Sequence, residues 1–321
     1  MTDTLHDAKP GILPMNLRQL EHFVLVAEER SFRRASERAH LSQPALSHSI
    51  KALETQLDTQ LFRRTNQLVE MTAIGEALLS HAHKVLFDAR NLHDQLSVLK
   101  TGGSGHVRIG LVPTFAFSFG GQVIADWLSD RPGVSIEAVY QTTATLETML
   151  RADKIDLFVC DMRNIEPDAE IELTPIGVFP GGFFCRDGHP LLERDGLTLA
   201  DVANYGLATV RVPPSLRSVL VKEMQISNPE APGIRVECDA ITVLRDVTLK
   251  SDVVLMANPF NFREDLESGR LVQLTLDFDL EIHWAIARLR NRILSPAALV
   301  LMDMLHDTPK RALDELQLSA P

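Results

Sequence analysis

The sequence predicts an α+β front part joined to an α/β rear part: an N-terminal winged helix-turn-helix, a long linker helix and a C-terminal two-lobed α/β domain. Three observations predict it. Residues 15–60 carry apolar side chains at helical spacing, interrupted twice by serine start signals. Residues 73–100 hold an apolar repeat every seven positions. From residue 107 onward, short apolar runs of strand length alternate with helical segments.

In the first helix, Leu17, Leu20, Val24 and Ala27 share one face, with Phe23 beside them. Ser31 is an expected N-cap for a second helix that buries Phe32, Ala35 and Ala39. The run His40-Leu41-Ser42 breaks the chain, and Ser42 caps a third helix whose first turn tolerates Pro44. That helix turns Leu46, Ile50, Leu53 and Leu57 inward and leaves Gln43, Ser47, His48 and Lys51 outward. The stretch "LFRRTNQLVEMT" at 61–72 then alternates as a two-stranded wing turning near Asn66-Gln67.

In the next helix Leu78, Val85, Leu92 and Leu99 recur every seven residues, with Ala82, Ala89 and Leu96 interleaved. A seam of that length predicts a second copy of the chain as partner; the alternative is a lone helix lying on the larger domain. The glycines of "KTGGSGH" make residues 101–106 a hinge. Strands at 107–112, 134–139 and 155–160 alternate with helices near 116–130 and 143–153. Further strands fall near 173–185, 206–210, 234–238, 253–256, 271–274 and 281–288. Helices near 215–225 and 240–250 and one opened by Ser295-Pro296 complete the chain. The expected first lobe is 107–162 with 262–305, the second 163–261, and ligands of such sheets bind in the cleft between them.

Bulk properties set limits. A chain of 321 residues with 45% hydrophobic and 23% charged side chains can build more than one core. The net charge of −11 excludes wholesale coating of nucleic acid. Residues 15–72 hold eight basic against seven acidic residues, so the front is less acidic than the rest without being a basic patch. The three cysteines, Cys160, Cys185 and Cys238, are far apart and lack CxxC spacing, which indicates neither disulfide nor zinc and leaves buried thiols or a redox sensor. Residues 1–14 have no periodicity and no signal-peptide pattern, and are expected to be a disordered tail. No apolar run is long enough to span a membrane, and the expected location is the cytoplasm.

Residues 15–75 resemble the winged helix-turn-helix of the LysR-type transcriptional regulators. "SQPALS" at 42–47, "LE" at 53–54, "LFRR" at 61–64 and the pair Thr72 and Gly75 carry the resemblance. It extends more weakly through "HPLL" at 189–192, "ESGRLVQL" at 267–274 and "LSPAAL" at 294–299. The resemblance implies a homo-oligomeric, sequence-specific DNA-binding regulator whose rear part is like type II periplasmic binding domains and senses a small effector. It implies the third helix in the major groove, the wing on the flanking backbone, a dimer that assembles into a tetramer on a pseudo-palindromic promoter site, and contact with RNA polymerase. His48 and Ser49 stand where Arg and Gln are common, and Asn66, Gln67 and Glu70 replace basic wing positions. Fewer cationic contacts predict a flatter salt dependence.

The expected DNA contacts are Ser42, Gln43, Pro44, Ser47, His48 and Lys51 on the third helix, with Arg33, Arg63 and Arg64 as cations for phosphate. The expected effector residues are Thr114, Thr142, Thr143, Thr209, Arg211 and Thr242, hydroxyls at strand ends and helix starts that suit an anionic or polyhydroxylated ligand. Each threonine is equally explained as a helix cap, and Arg211 as a solvated loop cation. Neither cofactor nor metal is expected, since His81 and His83 diverge on their helix. HExxH, GxSxG and GxxxxGK[ST] are missing, so an enzyme is not expected. The alternative is a small-molecule binding protein whose front domain has lost DNA contact.

Overall fold

The computed structural model describes residues 15–64, 69–101, 105–129, 131, 133–166, 168–225 and 233–318. The expected tail, the wing turn at Asn66-Gln67 and the centre of the hinge at 102–104 lie outside the described residues. The chain divides into two compact units, one up to His93 and one from Asp94 onward.

In the front unit α1 (Leu17–Glu29), α2 (Phe32–Arg38) and α3 (Gln43–Gln56) form where the start signals place them. Asn16 and Gln19 make a capping box on α1, Ser31 accepts the Arg34 N–H, and Ser42 accepts the Ala45 N–H. His40 takes a left-handed φ of 53° between α2 and α3, a conformation that lets Leu41 N–H reach Ser36 O at 2.9 Å. Leu20, Phe23, Val24, Ala27, Phe32, Ala35, Leu46, Ile50 and Leu53 close the core. Two expectations need correction. Leu17 is 46% exposed because it opens α1 beyond the packed turns, and Ala39 is only half-buried because α2 has already ended.

Strands β1 (Phe62–Arg64) and β2 (Val69–Met71) pair antiparallel as the wing. α4 (Ala73–Thr101) follows. Thr72 starts it, accepting the Gly75 N–H at 3.0 Å and donating to Gln60 O at 2.7 Å. A Cβ at Gly75 would sit 2.4 Å from Leu61 O, so the wing packs on the helix only through glycine. Ala82 and Leu86 of α4 are buried in the front unit's own core. The expected seam is therefore divided: Ala82 is taken by the front core and Leu78 and Ala89 are half-buried, whereas Val85 and Leu92 are 45% and 60% exposed. The side chains of Leu96 and Leu99 lie outside the described residues.

The rear unit has two five-stranded sheets. The first holds β3 (Gly105–Leu111), β4 (Val134–Tyr140), β5 (Leu157–Asp161), β6 (Ile171–Pro180) and β12 (Glu281–Leu289) in the order β4-β3-β5-β12-β6. The second holds β7 (Gly182–Arg186), β8 (Leu207–Thr209), β9 (Ile234–Glu237), β10 (Val254–Ala257) and β11 (Leu271–Leu274) in the order β11-β7-β10-β8-β9. Helices α5 (Pro113–Phe115), α6 (Gly121–Ser129), α7 (Thr143–Arg151) and α12 (Pro296–Leu318) belong to the first lobe. Helices α8 (Leu199–Ala203), α9 (Pro214–Glu223), α10 (Ile241–Lys250) and α11 (Arg263–Glu267) belong to the second. A π-helical turn, Ala116–Gly120, joins α5 to α6.

The lobe boundaries differ from expectation. The run 173–185 is two strands in different sheets, so 163–180 belongs to the first lobe, and β11 places 271–274 in the second. Strand periodicity cannot report which sheet a strand joins. The chain crosses at Gly181 and again through 275–280, and the crossings are bonded, Gly181 N–H to Leu280 O at 2.6 Å. A Cβ on Gly181 would meet Leu280 Cγ at 2.4 Å. The hinge is shorter than 101–106, because Thr101 ends α4 and Gly105 and His106 already pair with Val134 and Ser135.

Candidate functional site

Two surfaces collect the chemistry. On α3, Leu46, Ile50 and Leu53 face the core, which leaves Gln43, Pro44, His48 and Lys51 exposed, Ser42 exposed at the cap and Ser47 half-buried. The helix is held from behind, where His22 Nδ1 and Ser49 Oγ meet at 2.7 Å. Burial of that imidazole, followed by the Arg18 charge, lowers its pKa. Glu54 ties the same helix to the wing: its Oε1 accepts the N–H of Leu61 at 2.8 Å and of Phe62 at 3.2 Å. The motif "LE" marks this position in the sequence, but its role becomes visible only when the wing folds back.

The cations divide into paired and free. Arg33 pairs with Glu37 at 2.8 Å, Arg34 with Glu29 at 3.3 Å, and Arg38 with Glu28 and Glu29 at 2.9 and 3.1 Å. Lys51 and exposed Arg63 have no ion partner among the described residues. An i, i+4 carboxylate thus shares the guanidinium of Arg33, the expected phosphate cation, on its own helix, with both side chains exposed. Arg64 stands opposite Val69 in the wing, and its side chain lies outside the described residues.

The second surface is a cavity of about 250 Å³ between the lobes. Strand C-termini supply its rim, as the crossover topology requires. From the first lobe come Thr114, Thr142, Thr143 and Trp284; from the second come Thr209, Arg211, Asp239 and Met256. The structure thus brings together five of the six expected residues. Thr242 is the exception. α10 begins at Ile241, whose side chain lines the cavity, and the next residue around the helix is rotated outward and exposed.

The threonines differ in how far they are engaged. Thr142 caps α7, accepting the Thr145 N–H at 3.4 Å, and Thr209 Oγ1 donates to Met256 O at 3.0 Å. Thr114 and Thr143 hydroxyls and the Arg211 guanidinium have no partner among the described residues. Nor has Trp284 Nε1, although the residue is only 1% exposed. Asp161 is neutralised by Arg163, which meets it at 3.0 and 2.5 Å and donates onward to Glu281 O at 2.7 Å. Tyr140 Oη donates across the lobes to Asp239 O at 3.4 Å.

Asp161, Arg163, Asp239, Asn258 and Trp284 are not among the expected residues. The first four lie at or just beyond strand ends, a signal the sequence does contain; Trp284 enters only through the sheet order. The cysteines stand apart from this chemistry. Cys160 and Cys185 are fully buried, and burial raises both thiols, Cys185 to about 11. His81 is exposed and His83 buried, and among the described residues no group of three or more His, Cys, Asp or Glu could hold a metal ion.

Comparison with known proteins agrees with this layout. Residues 17–76 match the family described as "Bacterial regulatory helix-turn-helix protein, lysR family", and residues 100–310 match "LysR substrate binding domain". The "SDS degradation transcriptional activation protein" of Pseudomonas sp. is 36% identical over 301 residues, 92% of this chain and 97% of that protein. The "DNA-binding transcriptional dual regulator OxyR" of Escherichia coli K12 is 32% identical over 193 residues, 60% of this chain and 63% of that one. Among solved structures, a full-length OxyR variant from Pseudomonas aeruginosa superposes with a TM-score of 0.66 at 20% identity, covering 92% of this chain and 98% of that one. The LysR-family regulator CbnR gives 0.61 at 18% identity, covering 93% and 99%. These two show the same fold. With both family segments present in order and together spanning most of its length, the chain belongs to the LysR family of DNA-binding transcriptional regulators with an effector-binding domain.

Proposed function

We propose that the cavity between the lobes takes a small amphiphilic anion, with an apolar body and an oxyanion head, and that its binding alters how the regulator holds promoter DNA. The observation that carries this is the character of the unpartnered polar groups: Thr114, Thr143, Arg211 and Trp284 Nε1 all donate. Val112, Val212, Leu216, Ile241 and Ile282 supply apolar wall. Trp284 Nε1 is the fully buried one, and a buried donor left unpaired costs about 1–3 kcal/mol. Thr114 and Thr143 are half-buried and Arg211 exposed, so a ligand that brings an acceptor to Trp284 and a negative charge to Arg211 is the complement. The name of the Pseudomonas relative supports an alkyl sulfate as one such ligand. No cofactor or metal enters this reading.

At the DNA, Gln43, Ser47, His48 and Lys51 of α3 face the major groove, Ser42 and Pro44 bring the helix N-terminus to a phosphate, and Arg63 and Arg64 of the wing meet the flanking backbone. Val85 and Leu92 of α4 pack against a second copy, giving a dimer on a pseudo-palindromic site, and dimers pair into a tetramer that contacts RNA polymerase in the cytoplasm. Two experiments test the reading. Calorimetric titration with octyl sulfate below its micelle concentration is expected to show saturable binding that weakens about tenfold in Arg211→Ala; absent or unchanged binding refutes the ligand class. Gel shift of the protein's own upstream DNA is expected to fail for Gln43→Ala/Ser47→Ala, and equal binding refutes the recognition face.

A further inference from the structure

A second space lies between the lobes, and none of the cavity residues named above lines it. It is a groove of about 590 Å³ formed by the π-helical turn and α6 of the first lobe, the turn Pro259–Phe262 and α11 of the second, and α12. Phe117 and Phe260 give it apolar walls, and Phe117 is 51% exposed there. Three arginines and three carboxylates line it. Asp265 is held by Arg245 at 2.5 and 2.7 Å and by Arg270 at 2.9 Å. Asp126 accepts from Gln122 at 2.6 Å and pairs with Arg311 at 3.8 Å, whose Nη2 also donates to Thr308 Oγ1 at 3.1 Å. Glu264 is exposed and has no ion partner among the described residues. Arg263 also lacks an ion partner there and lies with its guanidinium carbon 5.9 Å from the Phe260 ring centroid.

The floor is a buried polar cluster. Asn261 is 4% exposed, its Nδ2 has no hydrogen-bond partner, and its Oδ1 meets Ser118 Oγ. Ser118 Oγ also meets Thr114 O at 2.8 Å and accepts from Asn258 Nδ2 at 3.3 Å. Thr114 and Asn258 line the first cavity, Ser118 and Asn261 the second. One hydroxyl proton cannot serve both Thr114 O and Asn261 Oδ1. The hydroxyl therefore has two bonding arrangements, one directed to each cavity, and it sits on a π-turn, a rare element that recurs at functional sites.

We propose that this groove is a second ligand site, for a small carboxylate with an apolar body, coupled to the first cavity through Ser118. The carboxylate meets the free Arg263 guanidinium and Arg311, the body lies against Phe117 and Phe260, and the ligand provides the missing partner of Asn261 Nδ2. A ligand there spans both lobes and biases which way the Ser118 proton turns.

Phenylacetate is the probe, added to the full-length protein and followed by equilibrium dialysis, with inorganic phosphate as the oxyanion lacking an apolar body. Saturable phenylacetate uptake is expected, with phosphate at least tenfold weaker. Because phenylacetate also fits the ligand class proposed for the first cavity, the groove is read in an Arg211→Ala background. Uptake should persist there and should fall at least tenfold when Arg263→Ala/Arg311→Ala or Arg263→Glu is added. No saturable uptake in that background, equal uptake of phosphate, or uptake retained in the groove variants overturns the site. For the coupling, Trp127→Phe in the same Arg211→Ala background leaves Trp284 of the first cavity as the sole indole while direct binding beside it is suppressed. Its emission should respond to phenylacetate, and adding Ser118→Ala should abolish the response while uptake remains. A response that survives Ser118→Ala, or none before that change, overturns the coupling.

Discussion

Removing the Glu54 carboxylate should loosen the wing from α3. In the folded front unit this one oxygen accepts two backbone N–H groups, at 2.8 and 3.2 Å, at the point where the chain leaves the helix for β1. A charge-assisted bond of good geometry contributes about 1.5–3 kcal/mol and a longer one less. Leu61 is fully buried and Phe62 nearly so, which limits the water that can replace the lost acceptor. Glu54→Ala should therefore destabilise the front unit by about 2–3 kcal/mol. For a unit of this size each kcal/mol shifts Tm by about 4–8 °C, which makes the loss easy to resolve. Glu54→Gln retains the acceptor without its charge and should lose about 1 kcal/mol. Urea denaturation gives the free energies, and hydrogen exchange localises them, since the Leu61 and Phe62 amides should exchange faster in the alanine variant than neighbouring α1 amides. A Glu54→Ala protein within about 0.5 kcal/mol of the parent, a difference typical of neutral surface changes, with both amides still protected, would refute the reasoning.

DNA affinity should depend only weakly on salt. Of the expected DNA-contacting cations whose side chains are described, Arg33 is paired with Glu37, whereas Lys51 and Arg63 have no ion partner among the described residues, which gives two such contacts per protomer. A dimer should then show a log–log salt slope of about −3.6, and Lys51→Ala should flatten it by about 1.8; fluorescence anisotropy across a salt series measures both. His22 should make the front unit lose stability on acidification. Its folded pKa is lowered, so the unfolded chain binds the extra proton, and stability present above the ordinary value of 6.5 is lost as pH falls through the folded pKa. Urea denaturation at several pH values should show this slope, and His22→Gln should remove it. Val85→Asp/Leu92→Asp should shift the protein toward monomer in analytical ultracentrifugation, because both side chains are exposed on one chain and would be desolvated in a pair.

The front unit is legible from its sequence because its signals are local. Ser31 and Ser42 cap helices within three residues of themselves, and Leu46, Ile50 and Leu53 fix one face by spacing alone. The rear unit also shows its strands, yet it conceals their partners: β6 and β7 read as one run, and only the pairing of Glu281 with Pro180 shows where the sheets part. The cavity is half visible for the same reason. Thr114, Thr142 and Thr143 follow strands and announce themselves, whereas Trp284 reaches the site because β12 inserts between β5 and β6. The ion pair of Arg33 with Glu37 one turn away is a side-chain geometry that residue type alone does not report.

The bonded crossings at Gly181 and Leu280 act as a two-ply strap. Their shared hydrogen bond ties the two plies, so a displacement of one is passed to the other. A bulkier residue at 181 would wedge the plies apart against the Leu280 side chain.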